Sequence, residues 1–175
     1  MNAPSSTPPD RAPVPPTGPA APALGIRRIL VPLDFSEHAL KALRYATALA
    51  RQFGASLLLV HVTEPIVYPS DFGYAPLPPN ALEENFQRDA QERMQVVVAS
   101  IQQEGIEARV LLRVGRPYHE IVTAASECGA DLIIVTTHGY TGLTHVLLGS
   151  TAERVVRHAR CPVLVVRDVE AEFVR

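Results

Sequence analysis

Gly139 and the pair Gly149-Ser150 enclose an interval of nine residues that follows an apolar run and leads into Ser150-Thr151-Ala152-Glu153. These residue types at this spacing suit an oxyanion. A glycine such as Gly139 lets backbone N–H groups come close to a ligand and adopts positive φ without strain. A helix opening at Ser150 adds N–H groups with no intrahelical partner and the positive end of a dipole. The plainer alternative is that the glycines only make turns and Ser150 only caps. A second candidate group, Asp34-Phe35-Ser36 with His38, follows another apolar run. Asp, Ser and His are the types used in nucleophilic catalysis. Here they crowd at one helix start, where Ser36 is better used as a cap, so they are not read as a triad. His61 reads as a hydrogen-bonded histidine inside a buried strand. His138 belongs to a Thr-His-Gly turn that offers backbone more than imidazole chemistry, and His145 and His158 read as solvated.

Alternating strands and helices are expected to bring these groups together. Ile29 to Leu33 is a short apolar run that reads as a buried strand. The helix after Ser36 carries Leu40, Leu43, Ala46, Ala50 and Phe53 on one stripe and ends at Gly54. Leu57 to Val62 is a second strand, apolar throughout as in a parallel sheet buried on both faces. Glu64 to Asn80 reads as a long proline-rich loop with Tyr68, Phe72 and Tyr74 interleaved, either a lid or a disordered connection. A long helix from Ala81 to about Glu104 shows Phe86, Ala90, Met94, Val97 and Ile101 on one face. Ala108 to Val114 is a third strand. Gly115-Arg116-Pro117 turns into a helix with Ile121, Ala124, Ala125 and Cys128, stopped by Gly129. Leu132 to Val135 is the fourth strand. Ser150-x-x-Glu153 is expected to form a capping box, and Pro162 to Val166 is the fifth strand.

This order predicts an α/β fold, a Rossmann-like doubly wound five-stranded parallel sheet with strand order 3-2-1-4-5. Ligands of such sheets bind beyond the carboxyl ends of the strands, where the strand order reverses. Asp34 and the segment from Thr136 to Ser150 are expected to converge there.

The 175 residues fit one domain, and 47% of them are hydrophobic. A formal net charge of −2 gives no footing for nucleic acid or an acidic membrane as partner. No apolar run approaches the ~20 residues that span a bilayer, and the N-terminus lacks the apolar core of a signal peptide. Residues 1–25, rich in Pro and Ala, read as a disordered tail, 26–167 as the folded domain, and 168–175 as a short C-terminal tail. Cys128 and Cys161 form no C-x-x-C pair, which argues against zinc. They are taken as reduced, buried thiols of a cytoplasmic protein, a disulfide between them being the alternative.

The spacing of Gly139 and Gly149-Ser150, between an apolar strand and a helix, resembles the nucleotide-binding signature of the universal stress protein family. Pro32-Leu33-Asp34-Phe35-Ser36, Leu59-Val60-His61-Val62, Gly115-x-Pro117 and Pro162-Val163-Leu164-Val165-Val166 match it in the same order. The resemblance covers about Ile26 to Arg167, and it implies an adenine nucleotide, ATP, with a divalent metal such as magnesium. By motif position, Asp34, following Pro32 and Leu33, would bond the ribose, although it also suits a plain turn carboxylate. The backbone around Val62 would meet adenine. The backbones of Thr136, Thr137, His138 and Gly139, and of Gly149, Ser150 and Thr151, would hold the phosphates. Thr136 stands where the signature has a glycine. The resemblance further implies a homodimer paired antiparallel through Val163 to Val166.

The function so implied is a cytoplasmic stress-response protein that binds ATP as a ligand or slow substrate. Fast catalysis fits poorly: Lys41 is the only lysine, and no P-loop lysine exists. Two alternatives remain at this stage, a nucleotide-free dimeric interaction module of the same fold and a slow ATP hydrolase. The Ser-Gly-Gly-x-Asp-Ser loop of nucleotidyl-transfer relatives is absent after the first strand.

Overall fold

Apolar runs that offer no polar face must be covered on both sides, and this requirement organises the molecule. The computed structural model describes residues 25–65, 67–70, 73–76, 81–137 and 149–167, with backbone alone at 67–70, 73–76 and 81–84. Strand β1 (Arg28–Pro32) leads to helix α1 (Glu37–Phe53) and strand β2 (Ser56–Thr63). Strands β3 (Val67–Ser70) and β4 (Gly73–Pro76) precede helix α2 (Ala81–Gln103) and strand β5 (Ala108–Val114). Helix α3 (Pro117–Glu127), strand β6 (Leu132–Thr136), helix α4 (Ser150–His158) and strand β7 (Val163–Val166) complete the order.

The main sheet is parallel, in the order β5-β2-β1-β6-β7. With the short β3–β4 pair set aside, this is the expected 3-2-1-4-5. Side chains alternate across the sheet and build two cores. Ile29, Val31, Leu57, Leu59 and Ile134 pack under α1 and α2 with Leu43, Tyr45, Met94 and Ile101. Leu30, Val60, Ile133 and Val135 pack under α3 and α4 with Ile121, Ala124 and Val155. Each fully buried Leu, Ile or Val contributes about 1.5–3 kcal/mol relative to exposure.

Several expectations need correction. The segment read as a loop over Glu64 to Asn80 contains an antiparallel pair, with Val67 opposite Pro76 and Ser70 opposite Gly73. Its prolines concealed it, since proline removes a ladder donor; in a two-stranded ribbon both strands are edges, where proline is tolerated. The stripes on α1 and α2 are also offset. Leu40 is 41% and Phe86 55% exposed, while Ala39, Ala42 and Tyr45 on α1 and Val98 on α2 are buried. Small residues let α1 lie close to the sheet, so its inner face is richer in alanine than the largest side chains suggested. Cys128 forms the C-cap of α3 rather than part of its apolar stripe. Both cysteines are free, and both are half-buried rather than buried.

At the amino ends of the strands, Asp131 ties the sheet together. Its Oδ2 accepts the Arg27 and Arg28 amides, each at 2.9 Å. The backbone bond from Arg27, then that from Arg28, holds the Asp131 carboxyl below its ordinary range. Burial raises the Cys161 thiol, and the Asp131 charge adds to that effect. These groups lie at the end of the sheet away from the candidate site.

Candidate functional site

The strand order reverses between β1 and β6: α1 carries the chain from β1 to β2 on one side, and α3 brings it back to β6 on the other. At the carboxyl ends of these strands lies a crevice of about 450 Å³, within the roughly 300–1,000 Å³ common for small-molecule sites. Pro32, Leu33 and Asp34 line it from the end of β1, and Val62 from β2. Thr136 and Thr137 line it from β6, and Gly149, Ser150 and Thr151 from the start of α4. The described residues that the sequence reading assigned to the nucleotide therefore line one crevice, whereas Ser36, His38, His61 and His158 do not. His138 and Gly139, like His145, lie outside the described residues.

The β1–α1 turn is held from several directions. The Leu33 amide donates to the Val60 carbonyl at 2.8 Å, and His61 Nδ1 donates to the Leu33 carbonyl at 2.7 Å. This bond gives His61 a structural use. Phe35 adopts φ 62, a left-handed conformation rare for an aromatic residue. Its ring centroid sits 5.0 Å from that of His61, with the Arg93 guanidinium 3.9 Å from the ring centre on the Phe35 side. Asp34 Oδ1 accepts the Ser36 amide at 3.0 Å and the Ser36 hydroxyl at 2.6 Å. Ser36 Oγ in turn accepts the Ala39 amide at 3.1 Å, the N-cap bond of α1. The side chain of Asp34 is thus oriented by the same network that starts the helix.

The start of α4 is built differently. The N-cap is Gly149, not Ser150, and no side chain caps the helix. Ser150 is the first helical residue, and Glu153 pairs with Arg157 at 2.7 Å, so the expected capping box does not form. The Gly149 amide donates to the Thr137 carbonyl at 2.6 Å. A Cβ on Gly149 would stand 2.8 Å from that carbonyl oxygen. Gly149 has φ −62, so glycine is needed here for close approach, not for a left-handed backbone. The first intrahelical bond runs from the Glu153 amide to the Gly149 carbonyl at 2.9 Å. The amides of Ser150, Thr151 and Ala152 precede it, and among the described residues no side chain serves them. Amides in that position, at the positive end of the helix dipole, suit an anion.

Alternation places the Thr136 side chain with Leu132 and Ile134, on the α1 face of the sheet, while Val135 faces the α3–α4 side. There Thr136 borders a small cavity with His38 and Lys41. The Lys41 ammonium is buried and donates to the Arg167 carbonyl at 2.9 Å. The bulk of the threonine is therefore directed away from the α4 amides.

Sequence reasoning missed several lining residues, including Val60, Glu64, Pro117 and Ile121. Gly115-x-Pro117 was visible as a motif, and Pro117 at the first position of α3 sets where that helix begins beside the crevice. Glu64 directly follows β2, so the end of an apolar strand was its signal. Among the described residues no group of three His, Cys, Asp or Glu side chains is placed to hold a metal. No helix among them is long and apolar enough to cross a membrane.

Sheet order and crevice define an open doubly wound α/β protein with a crevice at its switch point. The chain matches the universal stress protein family along residues 25–167 and belongs to it. It is 34% identical over 149 residues to a universal stress protein of Methanocaldococcus jannaschii, MJ0531, covering 83% of this chain and 85% of the relative. Among solved structures, the universal stress protein UspA from Lactobacillus plantarum is similar with a TM-score of 0.73 at 27% identity, covering 83% of this chain and all of that one (100%). The universal stress protein from Archaeoglobus fulgidus in complex with dAMP is similar with a TM-score of 0.57 at 26% identity, covering 81% of this chain and 98% of that one.

Proposed function

We propose that this protein binds an adenine nucleotide, ATP, in the switch-point crevice, as a ligand or slow substrate in a stress response. The observation that carries the reading is the uncapped start of α4, pressed against β6 by the Gly149–Thr137 contact and facing the crevice. The Ser150, Thr151 and Ala152 amides would receive phosphate oxygens, and Asp34, oriented by Ser36, would accept from the ribose hydroxyls. Val62 and the apolar wall around Ile121 would meet the base. His138 and Gly139 are assigned to the phosphate turn by their position in the signature. The family relative in complex with dAMP supports an adenine nucleotide as the ligand class. A magnesium ion would arrive on the phosphates, since the described residues offer no three-ligand cluster for it. The placement of Thr136 on the α1 face by strand alternation supports the nucleotide reading over a nucleotide-free module. We place the protein in the cytoplasm, in keeping with two free thiols.

The reading includes a homodimer through β7. This strand is a sheet edge, and Val163, Leu164 and Val165 on it are only partly buried. An apolar edge of this kind invites pairing. A Val165→Asp protein is expected to be monomeric by light scattering; a monomer in the unmutated protein would end the dimer proposal. For the nucleotide, the test is calorimetric titration with ATP and magnesium, together with a check for nucleotide that co-purifies. Saturable binding of one nucleotide per chain is expected. No heat and no co-purified nucleotide would overturn the reading and favour the nucleotide-free module.

A further inference from the structure

Arg154 has no evident structural need for its charge. It is exposed on α4, four residues after Ser150. Its neighbours on the helix are accounted for: Glu153 pairs with Arg157, and the Arg154 carbonyl receives His158 Nδ1 at 2.8 Å. Among the described residues no carboxylate pairs with the Arg154 guanidinium. Instead it lies over the Tyr118 ring of α3, 5.0 Å from the ring centre, and His158 sits on the same ring at 5.9 Å. Tyr118 directly follows Pro117, which lines the crevice.

Arg154 is the fifth of the nine residues of α4, one turn beyond Ser150, which lines the crevice. Arg116, exposed at the N-cap of α3 beside Pro117, adds a second cation near the crevice, where a positive charge opposes the helix dipole unless an anion is present. Helix geometry places Arg154 on the same face as Ser150, about 6 Å along the axis. Helical side chains lean toward the N-terminus, so the guanidinium can reach the first turn. An arginine fork is suited to phosphate oxygens, and the exposed Arg154 guanidinium, resting at 5.0 Å on the half-buried Tyr118 ring, is free to exchange that contact for a phosphate.

We propose that Arg154 sets the preference of the crevice for the length of the phosphate chain, resting on Tyr118 when the site is empty and pairing with the outer phosphates of a nucleoside triphosphate when it is filled. The proposal rests on the nucleotide reading above. It makes Arg154 a specificity residue: the amides of α4 and Asp34 hold any adenine nucleotide, and Arg154 adds affinity only where phosphates extend beyond the first.

The test is titration of the full chain with ATP, ADP and AMP, with and without magnesium. The proteins compared are the unmutated one, Arg154→Gln, Arg154→Lys and Arg157→Gln. Arg154→Gln is expected to weaken ATP about 10-fold, the loss of one hydrogen bond to a charged group, and to change AMP by less than about twofold, the scale of a distant screened charge. Arg154→Lys should recover part of the loss, and the ATP preference should shrink as salt is raised. Arg157→Gln removes the same charge from the same helix and should leave the ATP-to-AMP ratio unchanged. Equal weakening of ATP and AMP by Arg154→Gln, no weakening of either, or the same shift from Arg157→Gln would overturn the assignment while leaving nucleotide binding intact. An unmutated protein that binds none of the three nucleotides would instead remove the crevice reading and this proposal with it.

Discussion

Helices α1 and α4 both begin at the rim of the same crevice, and they begin in opposite ways. At α1, Ser36 caps the helix and Asp34 holds Ser36, so a side chain of the chain itself occupies the Ala39 amide of the first turn. At α4 the cap is a glycine, among the described residues no side chain serves the first amides, and the backbone carbonyl of Thr137 leaves no room for a side chain at the cap itself. Ser, Thr, Asp or Asn at an N-cap would add only about a few tenths of a kcal/mol over glycine, so the glycine at α4 costs little stability. The difference is that α1 uses a side chain on its first turn, whereas the first turn of α4 has none, as the proposed nucleotide site requires.

The comparison is broken most severely at Gly149. Gly149→Val drives a branched side chain into the Thr137 carbonyl and displaces α4 from β6. ATP binding should fall below detection in calorimetric titration, and stability should drop by roughly 1–3 kcal/mol, as for other overpacked sites. Circular dichroism should still report a folded protein, because the contact lies above both cores. Retained affinity would show that α4 does not need this approach to β6.

Asp34→Ala comes next, because it removes the carboxylate that holds Ser36 and that is proposed to accept from the ribose. Affinity for ATP should fall about 10-fold, the loss of a hydrogen bond to a charged acceptor. The thermal midpoint should also fall, since Ser36 loses its anchor. Ser36→Ala separates these effects. Chemical denaturation should show a loss of about 0.5–2 kcal/mol, while ATP affinity changes less than in Asp34→Ala. If Ser36→Ala weakened binding as much as Asp34→Ala, the α1 start would belong to the ligand after all.

The smallest effect lies at the far end of the sheet, where Asp131 provides a control. Its carboxyl is lowered in the folded protein by the Arg27 and Arg28 amides. The stability it supplies is therefore fully present above the ordinary value of 3.8 and is lost as pH falls through the lowered folded value. Asp131→Asn should flatten the acid limb of the stability curve in pH-dependent melts and leave ATP affinity at neutral pH unchanged.

Most of the frame was legible because it rests on period and punctuation. Continuous apolar strands such as Leu57 to Val62 and glycine stops such as Gly54 leave few other topologies. The crevice was legible for the same reason, since a doubly wound order fixes where loops converge. The cap of α4 was not, because Ser150-x-x-Glu153 satisfies the capping-box pattern by residue type. Whether Ser150 caps or begins the helix depends on the 2.6 Å bond between Gly149 and Thr137, a tertiary contact with no local signal. The exposure of Leu40 escaped for a related reason: which side of α1 faces the sheet depends on how closely Ala39, Ala42 and Ala46 let it approach. Arg154 was invisible as a site residue because its partner, Tyr118, lies on a different helix.

The central claim concerns three amides, and they can be observed one by one. In an amide-resolved magnetic resonance titration of the full chain with ATP and magnesium, Ser150, Thr151 and Ala152 should show the largest backbone shifts of any helix start. The Ala39 amide, already bonded to Ser36, should move less than these three even though Ala39 lines the crevice. Saturating binding that shifts Ala39 and its neighbours while leaving those three amides unmoved would contradict the account.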